Sequence, residues 1–232
     1  MSELDIVKEL AKQALTISAP TGSPDNSLWD RAQRLVRNVE HICRLPELAE
    51  AGVQIDHFCL IAATYFSDAG LADHLEARKQ GARVALSDAN GNELLDFSTQ
   101  VVGEKLAGTV EASRIEKINR IITESGSHFT QVVEAMILSD ARNLDDMGVA
   151  GIFNEFRRHI IGGKGISDAL QNWKRKIDYR YWQARLKENF RFEQVRKLAE
   201  QRLSVAENFM NQLKVETEAQ DLEGLSVNSA IS

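Results

Sequence analysis

Cysteine is nearly missing. The 232 residues hold two, Cys43 and Cys59, and neither lies in a CxxC or Cys/His spacing, which excludes a disulfide framework and a thiolate metal site. Both sit inside apolar helical patterns and read as buried, reduced thiols. Three prolines and 14 glycines exclude collagen-like and Pro-rich classes. No run approaches the ~18 apolar residues of a transmembrane helix. The first fifteen residues are charged and amphipathic, unlike a secretory leader. A cytoplasmic protein without a membrane partner is therefore expected. Five histidines form no HxxxH or HExxH pair, and no Ser or Cys sits in a recognisable nucleophile elbow. Positive charge is short as well: 28 Lys+Arg against 34 Asp+Glu leaves −6, which argues against a dedicated nucleic-acid binder.

What remains is ordinary globular composition, 43% hydrophobic and 27% charged. A chain of this length buries about 70% or more of its unfolded surface, so its core needs no disulfide or metal. Ile6, Leu10, Ala14 and Ile17 recur at helical spacing before Pro20, Gly22 and Pro24 interrupt. Asp25, Asn26 and Ser27 are candidate caps for a second helix. Its seam runs Leu28, Ala32, Leu35, Val39, Ile42 and ends near Pro46. Residues 55–66 (IDHFCLIAATYF) are apolar nearly all round, which predicts a helix in the middle of a domain.

A polar helix from Leu71 to about Gln80 follows. Residues 82–95 are ambiguous, because Asn90-Gly91 suits a hairpin turn or a loop between helices. Helical periods resume over 94–107, 111–123 and 129–138. A break at Gly162, Gly163 and Gly165 precedes two long helices. The last has the stripe Phe192, Val195, Ala199, Leu203, Ala206, Met210, Leu213. Nine or so helices with little strand predict an all-α fold, a single multi-helix bundle. The expected division is an N-terminal helix and linker over 1–24, a helical domain over 25–213, and a polar, disordered tail over 214–232.

Two motif-like stretches read as turns. IGGKG at 161–165 lacks the phosphate-loop spacing and a preceding strand. Asp88, Asn90 and Asn92 imitate the alternating oxygens of a calcium loop, but the glycine is misplaced and no Glu stands at the twelfth position.

Two other stretches carry a family resemblance over roughly residues 25–213. AATYFSDAGL at 62–71 looks like the apolar-helix-to-His-Asp segment of the HD-domain superfamily of metal-dependent phosphohydrolases. ILSDARNLDDMGVAGI at 137–152 resembles that superfamily's later Asp segment. RAQRLV at 31–36 stands where the family has His-x-x-Arg-Val. The resemblance implies an HD-domain-like helical fold and a metal site built from a first-helix His, a His-Asp pair and a later Asp. Asp68 and Asp140 match the two aspartates, and they are the metal ligands if a metal is bound at all. The histidine positions are Arg31 and Ser67. A further family His would fall at Glu124 or Ser125, with His128 out of register.

These departures decide the expected chemistry. Ser is no substitute for imidazole toward a transition metal, and a permanently cationic Arg repels one. Two carboxylates alone hold at best a hydrated Mg²⁺, whereas hydrolysis at such sites needs a metal to lower the pKa of bound water. The expectation is thus a degenerate site with no catalytic residue and no cofactor. It belongs to a ligand-sensing or protein-interaction module whose partner is a protein or a phosphate-containing ligand. The alternative is a Mn- or Mg-dependent phosphohydrolase of nucleotides or other phosphate esters. Arg31, Ser67 and Arg142 are the candidate binding residues. In particular, a guanidinium from Arg31, or secondarily Arg142, is expected to pair with Asp68 or Asp140 in the metal's place.

Residues 173–197 carry nine Lys or Arg against three acids and six of the fifteen aromatics. Such interleaving suits nucleic-acid stacking. It equally suits an amphipathic helix that buries its rings and exposes its cations, which is the favoured reading.

Overall fold

The computed structural model describes residues 2–18, 22–50, 52–79 and 91–223. The turn expected around Asp88 and Asn90 lies outside them. The fold is all-α, with one two-stranded pairing among the described residues. The chain packs as two compact units, Met1–Arg142 and Asn143–Ser232.

The first unit begins with α1 (Glu3–Leu15), started by a capping box between Ser2 and Asp5. A short antiparallel pairing of β1 (Ile17–Ser18) and β2 (Pro24–Asp25) leads into α2 (Ser27–Ile42). Then come α3 (Pro46–Glu50), α4 (His57–Phe66), α5 (Ala69–Lys79), α6 (Gly91–Leu106), α7 (Ala112–Glu124) and α8 (Val133–Asp145), whose last turn crosses into the second unit. As its all-round apolarity predicts, α4 is buried from Cys59 to Phe66 and is packed by α1, α2, α6 and α7. The α2 seam is buried from Leu28 to Ile42, with Trp29 stacked on Tyr65 of α4 at 5.5 Å. Helix α1 is no appendage to a later domain. Val7, Ala11 and Leu15 are wholly buried against this unit.

The entry to α4 is pinned by charge. Asp56 Oδ1 accepts from the Cys59 N–H at 3.0 Å, and Asp56 Oδ2 accepts from Lys117 Nζ at 3.1 Å. Lys117 also reaches Glu134 Oε1 at 3.3 Å, and that oxygen accepts the Asp56 N–H. Burial pushes the Asp56 carboxyl up, but the Cys59 N–H and the Lys117 ammonium outweigh it and hold it below its ordinary value. A depressed carboxylate adds stability above its unfolded pKa of about 3.9 and loses it as pH falls through the folded value. Asp56→Asn is therefore expected to lower the thermal midpoint at pH 7, with the gap to the wild type narrowing as pH falls below the ordinary carboxylate range. Wild-type and variant midpoints that stay parallel from pH 7 to 3 would contradict this.

Both thiols are free. Cys59 is buried and desolvation pushes it up to about 12, whereas Cys43 is only half-buried and rises to about 11.

The second unit holds α9 (Gly148–Ile161), α10 (Ile166–Asp178), α11 (Tyr181–Glu188) and α12 (Glu193–Thr217), closed by a 3-10 turn at Gln220–Leu222. The two long helices expected after the glycine break are three. Arg180 takes a left-handed φ of 54° between α10 and α11 and splits the first of them. The α12 stripe is buried from Val195 to Met210, and the helix runs on to Thr217, so residues 214–217 are ordered helix and not tail. Trp173, Trp182, Phe190 and Phe192 are buried, as the amphipathic reading of 173–197 requires; Tyr179 and Tyr181 stay exposed.

Candidate functional site

Helix α4 is too apolar to stop by itself. Ser67 ends it by turning back, its hydroxyl donating to the Thr64 carbonyl at 3.0 Å. Asp68 follows in the turn, with its carbonyl accepting from Ala72 in the first turn of α5. The turn is held from outside by Ser98 of α6, whose Oγ accepts from the Gly70 N–H at 2.9 Å and lies within hydrogen-bonding reach of the Ser67 carbonyl. Asp68 is thereby fixed in place with 3% of its surface exposed.

A buried carboxylate requires partners, and this one has two guanidiniums. Arg31 of α2 donates from Nη1 to Asp68 Oδ2 at 2.7 Å. Arg142 of α8 places Nη2 3.2 Å from Asp68 Oδ1 and donates from Nη1 to the Ser67 carbonyl at 3.0 Å. Both carboxylate oxygens are thus faced by arginine. The expectation of one arginine, Arg31 before Arg142, is corrected to both. The planar fork explains the division of labour, since Arg142 binds the carboxylate and the adjacent carbonyl at once.

Asp140 lies on α8 two residues before Arg142 and is fully buried. Ser67 serves as a helix terminator whose carbonyl receives Arg142. Of the two positions that the resemblance gives to a further histidine, Glu124 is half-buried and Ser125 ends α7 by donating to the Ile122 carbonyl, while His128 is exposed.

The donor set does not fit a divalent cation. Among the described residues no three His, Cys, Asp or Glu side chains converge as metal ligands. A cation at Asp68 would also have to displace two permanent positive charges. Two guanidiniums carry the same +2 that a divalent ion would bring.

The later half of the 137–152 motif belongs to the second unit and is likewise held by arginines. Arg185 of α11 donates from Nη2 to Asp146 Oδ2 at 2.7 Å and from Nε to Asn143 Oδ1 at 3.1 Å. Burial works against its charge, but Asp146 outweighs that and raises it. Arg202 of α12 donates to the Leu144 carbonyl at 3.0 Å. Gly148 sits at φ +79° with Arg202 pressed against it, a position where a side chain is strained by backbone and neighbour together. Asp146 and Gly148 of this motif thus tie the connection between α8 and α9 to α11 and α12.

Three solved bacterial proteins share this fold. A Lactobacillus plantarum protein matches with a TM-score of 0.58 at 18% identity, over 94% of this chain and 97% of its own. Bacillus subtilis YpgQ, solved in complex with ADP, matches with a TM-score of 0.55 at 17% identity, over 92% and 94%. The Listeria innocua protein Lin1889 gives 0.53 at 18%, over 94% and 98%. Likeness at this identity establishes the fold alone. No protein-family model and no curated protein matches the sequence.

Sequence reasoning missed Ser98, Arg185 and Arg202. Ser98 left a trace, being the one polar residue among the buried positions of α6, between Leu95 and Val102. The two arginines left none, because a basic residue on an amphipathic helix looks the same whether it faces water or an acid.

Proposed function

We propose that this chain is a degenerate HD-domain-like protein in which arginines have replaced the catalytic metal, acting as a ligand-sensing or protein-interaction module and not as a hydrolase. The observation that carries this reading is Asp68 held between Arg31 and Arg142. Such a carboxylate already faces two permanent positive charges, and both would repel a divalent ion brought to it. Water at the site then has nothing to lower its pKa, and the nucleophile that metal-dependent hydrolysis requires is not generated. That Bacillus subtilis YpgQ was solved with ADP supports a nucleoside phosphate as the ligand class to test first. No helix of the described residues is long and apolar enough to cross a membrane.

The test is a paired assay on purified protein. Incubation with ADP, ATP and a generic phosphomonoester, with Mn²⁺ or Mg²⁺, is expected to release no phosphate or pyrophosphate above a no-enzyme control. Calorimetric titration of ADP into the same sample reads ligand binding separately. An EDTA-sensitive hydrolysis abolished by Asp140→Ala would overturn the inactive-site reading and establish the phosphohydrolase alternative.

A further inference from the structure

Residues 173–197 hold nine cations and six aromatic rings, and the fold of the second unit accounts for most of them. Trp173, Trp182, Phe190 and Phe192 are buried. Tyr181 packs edge-on against Trp182 at 5.0 Å, and its hydroxyl accepts from Arg185 Nη1 at 3.3 Å. Lys174, Lys176, Arg185 and Arg196 pair with Asp178, Glu155, Asp146 and Glu193, and Lys197 lies within reach of Glu193. Arg191 donates to the Glu188 carbonyl. Four residues are left over: Arg175, Tyr179, Arg180 and Lys187. All are exposed, Tyr179 by 79%. Among the described residues none of the three cations meets an acid, and the Tyr179 ring meets no other ring and no cation.

The backbone gathers these four. Arg175 and Tyr179 stand one turn apart at the end of α10, where the Tyr179 N–H donates to the Arg175 carbonyl at 3.0 Å. Arg180, Ala184 and Lys187 follow at intervals of four and three along α11, an exposed stripe about 10 Å long. The two stripes join at Tyr179–Arg180, and the join places Arg180 at φ 54°. A non-glycine residue is rarely held there, and such positions cluster at binding sites. Beside the α11 stripe lies a groove of about 390 Å³ between α11 and α12, lined by Gln183, Leu186, Lys187, Arg196 and Glu200. Glu193 and Glu200 both hold Arg196, so Lys187 is the unpaired charge on its wall. Glu188, exposed beside Lys187, is the one acid that stands close to this row without an ion pair among the described residues.

Unpaired cations call for an anionic ligand, an uncovered ring for a flat one, and a groove of this volume for a small polar group. Phosphates and bases supply all three. An acidic peptide would satisfy the cations but leave the ring and the groove unfilled, and a duplex keeps its bases stacked on one another. We propose that this surface binds single-stranded nucleic acid. Arg175, Arg180 and Lys187 pair with phosphates, Tyr179 stacks on one base, and the groove takes a second base over Leu186 with Gln183 and Glu200 at its edges. The chain's net charge of −6 opposes this only weakly, since charges beyond ~10 Å are screened at 0.1 M salt. No residue of the Asp68 site takes part.

Fluorescence anisotropy of a labelled oligouridine or oligothymidine of about 12 nucleotides, titrated with the full chain, is expected to show saturable binding at about 50 mM salt. Three phosphate contacts predict a slope of about −2 for log K against log salt, hence binding about twentyfold weaker at about 200 mM. Tyr179→Ala should weaken binding about fivefold or more and leave that slope unchanged. The triple change Arg175→Gln, Arg180→Gly and Lys187→Gln should bring the slope close to zero. Its far-UV circular dichroism should match the wild type, because all three side chains are exposed and glycine suits the left-handed turn. Lys8→Gln, an exposed cation of α1, should leave the affinity unchanged. No saturable binding up to about 100 µM chain overturns the proposal, and is the result if an acidic protein takes this surface. Equal affinity for a duplex of the same length, or binding that survives the triple change, overturns it as well.

Discussion

Replacing Arg31 by Met is expected to destabilise the protein by roughly 3–5 kcal/mol, the usual cost of leaving a buried charge without its partner. Arg31 is 15% exposed and Asp68 3%, so water can do little to restore the lost hydrogen bond. Arg142 remains 3.2 Å from the other carboxylate oxygen, which places Arg31→Met toward the lower end of that range. Arg142→Met should cost less than Arg31→Met, since its contact to Asp68 is longer and its exposure greater. The pair of changes should cost more than the sum of the singles, because each arginine covers for the other only while one remains. Urea unfolding at pH 7 reads all three. An unchanged midpoint in Arg31→Met would mean that Asp68 is hydrated in solution, and the clamp would then have no structural role.

Gly70→Ala should be as damaging, for a purely steric reason. A Cβ at this position would fall 2.7 Å from the Ser98 backbone nitrogen and 2.8 Å from the Phe97 Cβ, and would also press on the Leu94 carbonyl. Two of those three neighbours are backbone of α6, which cannot step aside as a flexible side chain could. The substitution must part α5 from α6 and pull the Ser98 hydroxyl off the turn that carries Asp68. A loss of about 3 kcal/mol or more is expected, at or beyond the upper end of ordinary overpacking. Gly126→Ala is the comparison, because its close contacts are side-chain atoms of Leu95 and Asn92 and should yield at smaller cost. Similar thermal midpoints for Gly70→Ala and the wild type would show that α6 lies farther from this turn than the structure places it.

Legibility in the sequence followed the physics of each feature. The all-round apolarity of 55–66 and the four-three seam of α2 are statements about burial, and burial follows directly from composition and period. The arginine clamp was legible because carboxylates in a buried pocket need positive charge, and the family resemblance put Arg31 at a ligand position while Arg142 stands two residues after Asp140. That both arginines engage Asp68 was not legible, since the choice between them depends on how α2 and α8 approach the turn. The division of residues 166–188 into two helices was hidden for a related reason. The break at Tyr179–Arg180 uses a non-glycine residue in a left-handed conformation, which no composition rule marks. The start of α8 at Val133 instead of 129 is an ordinary boundary shift, with Thr130 Oγ1 accepting from the Val132 N–H just before the helix.

If arginine stands where a metal would, elemental analysis of the purified chain reads it. Protein purified without chelator, then dialysed against Mn²⁺ and passed over a desalting column, should carry well under one metal ion per chain. The double change Arg31→His with Ser67→His, treated the same way, should gain metal, because it removes one guanidinium and supplies two imidazoles beside Asp68. A wild-type chain holding one Mn, Fe or Zn per molecule, lost on Asp140→Ala, would contradict the account.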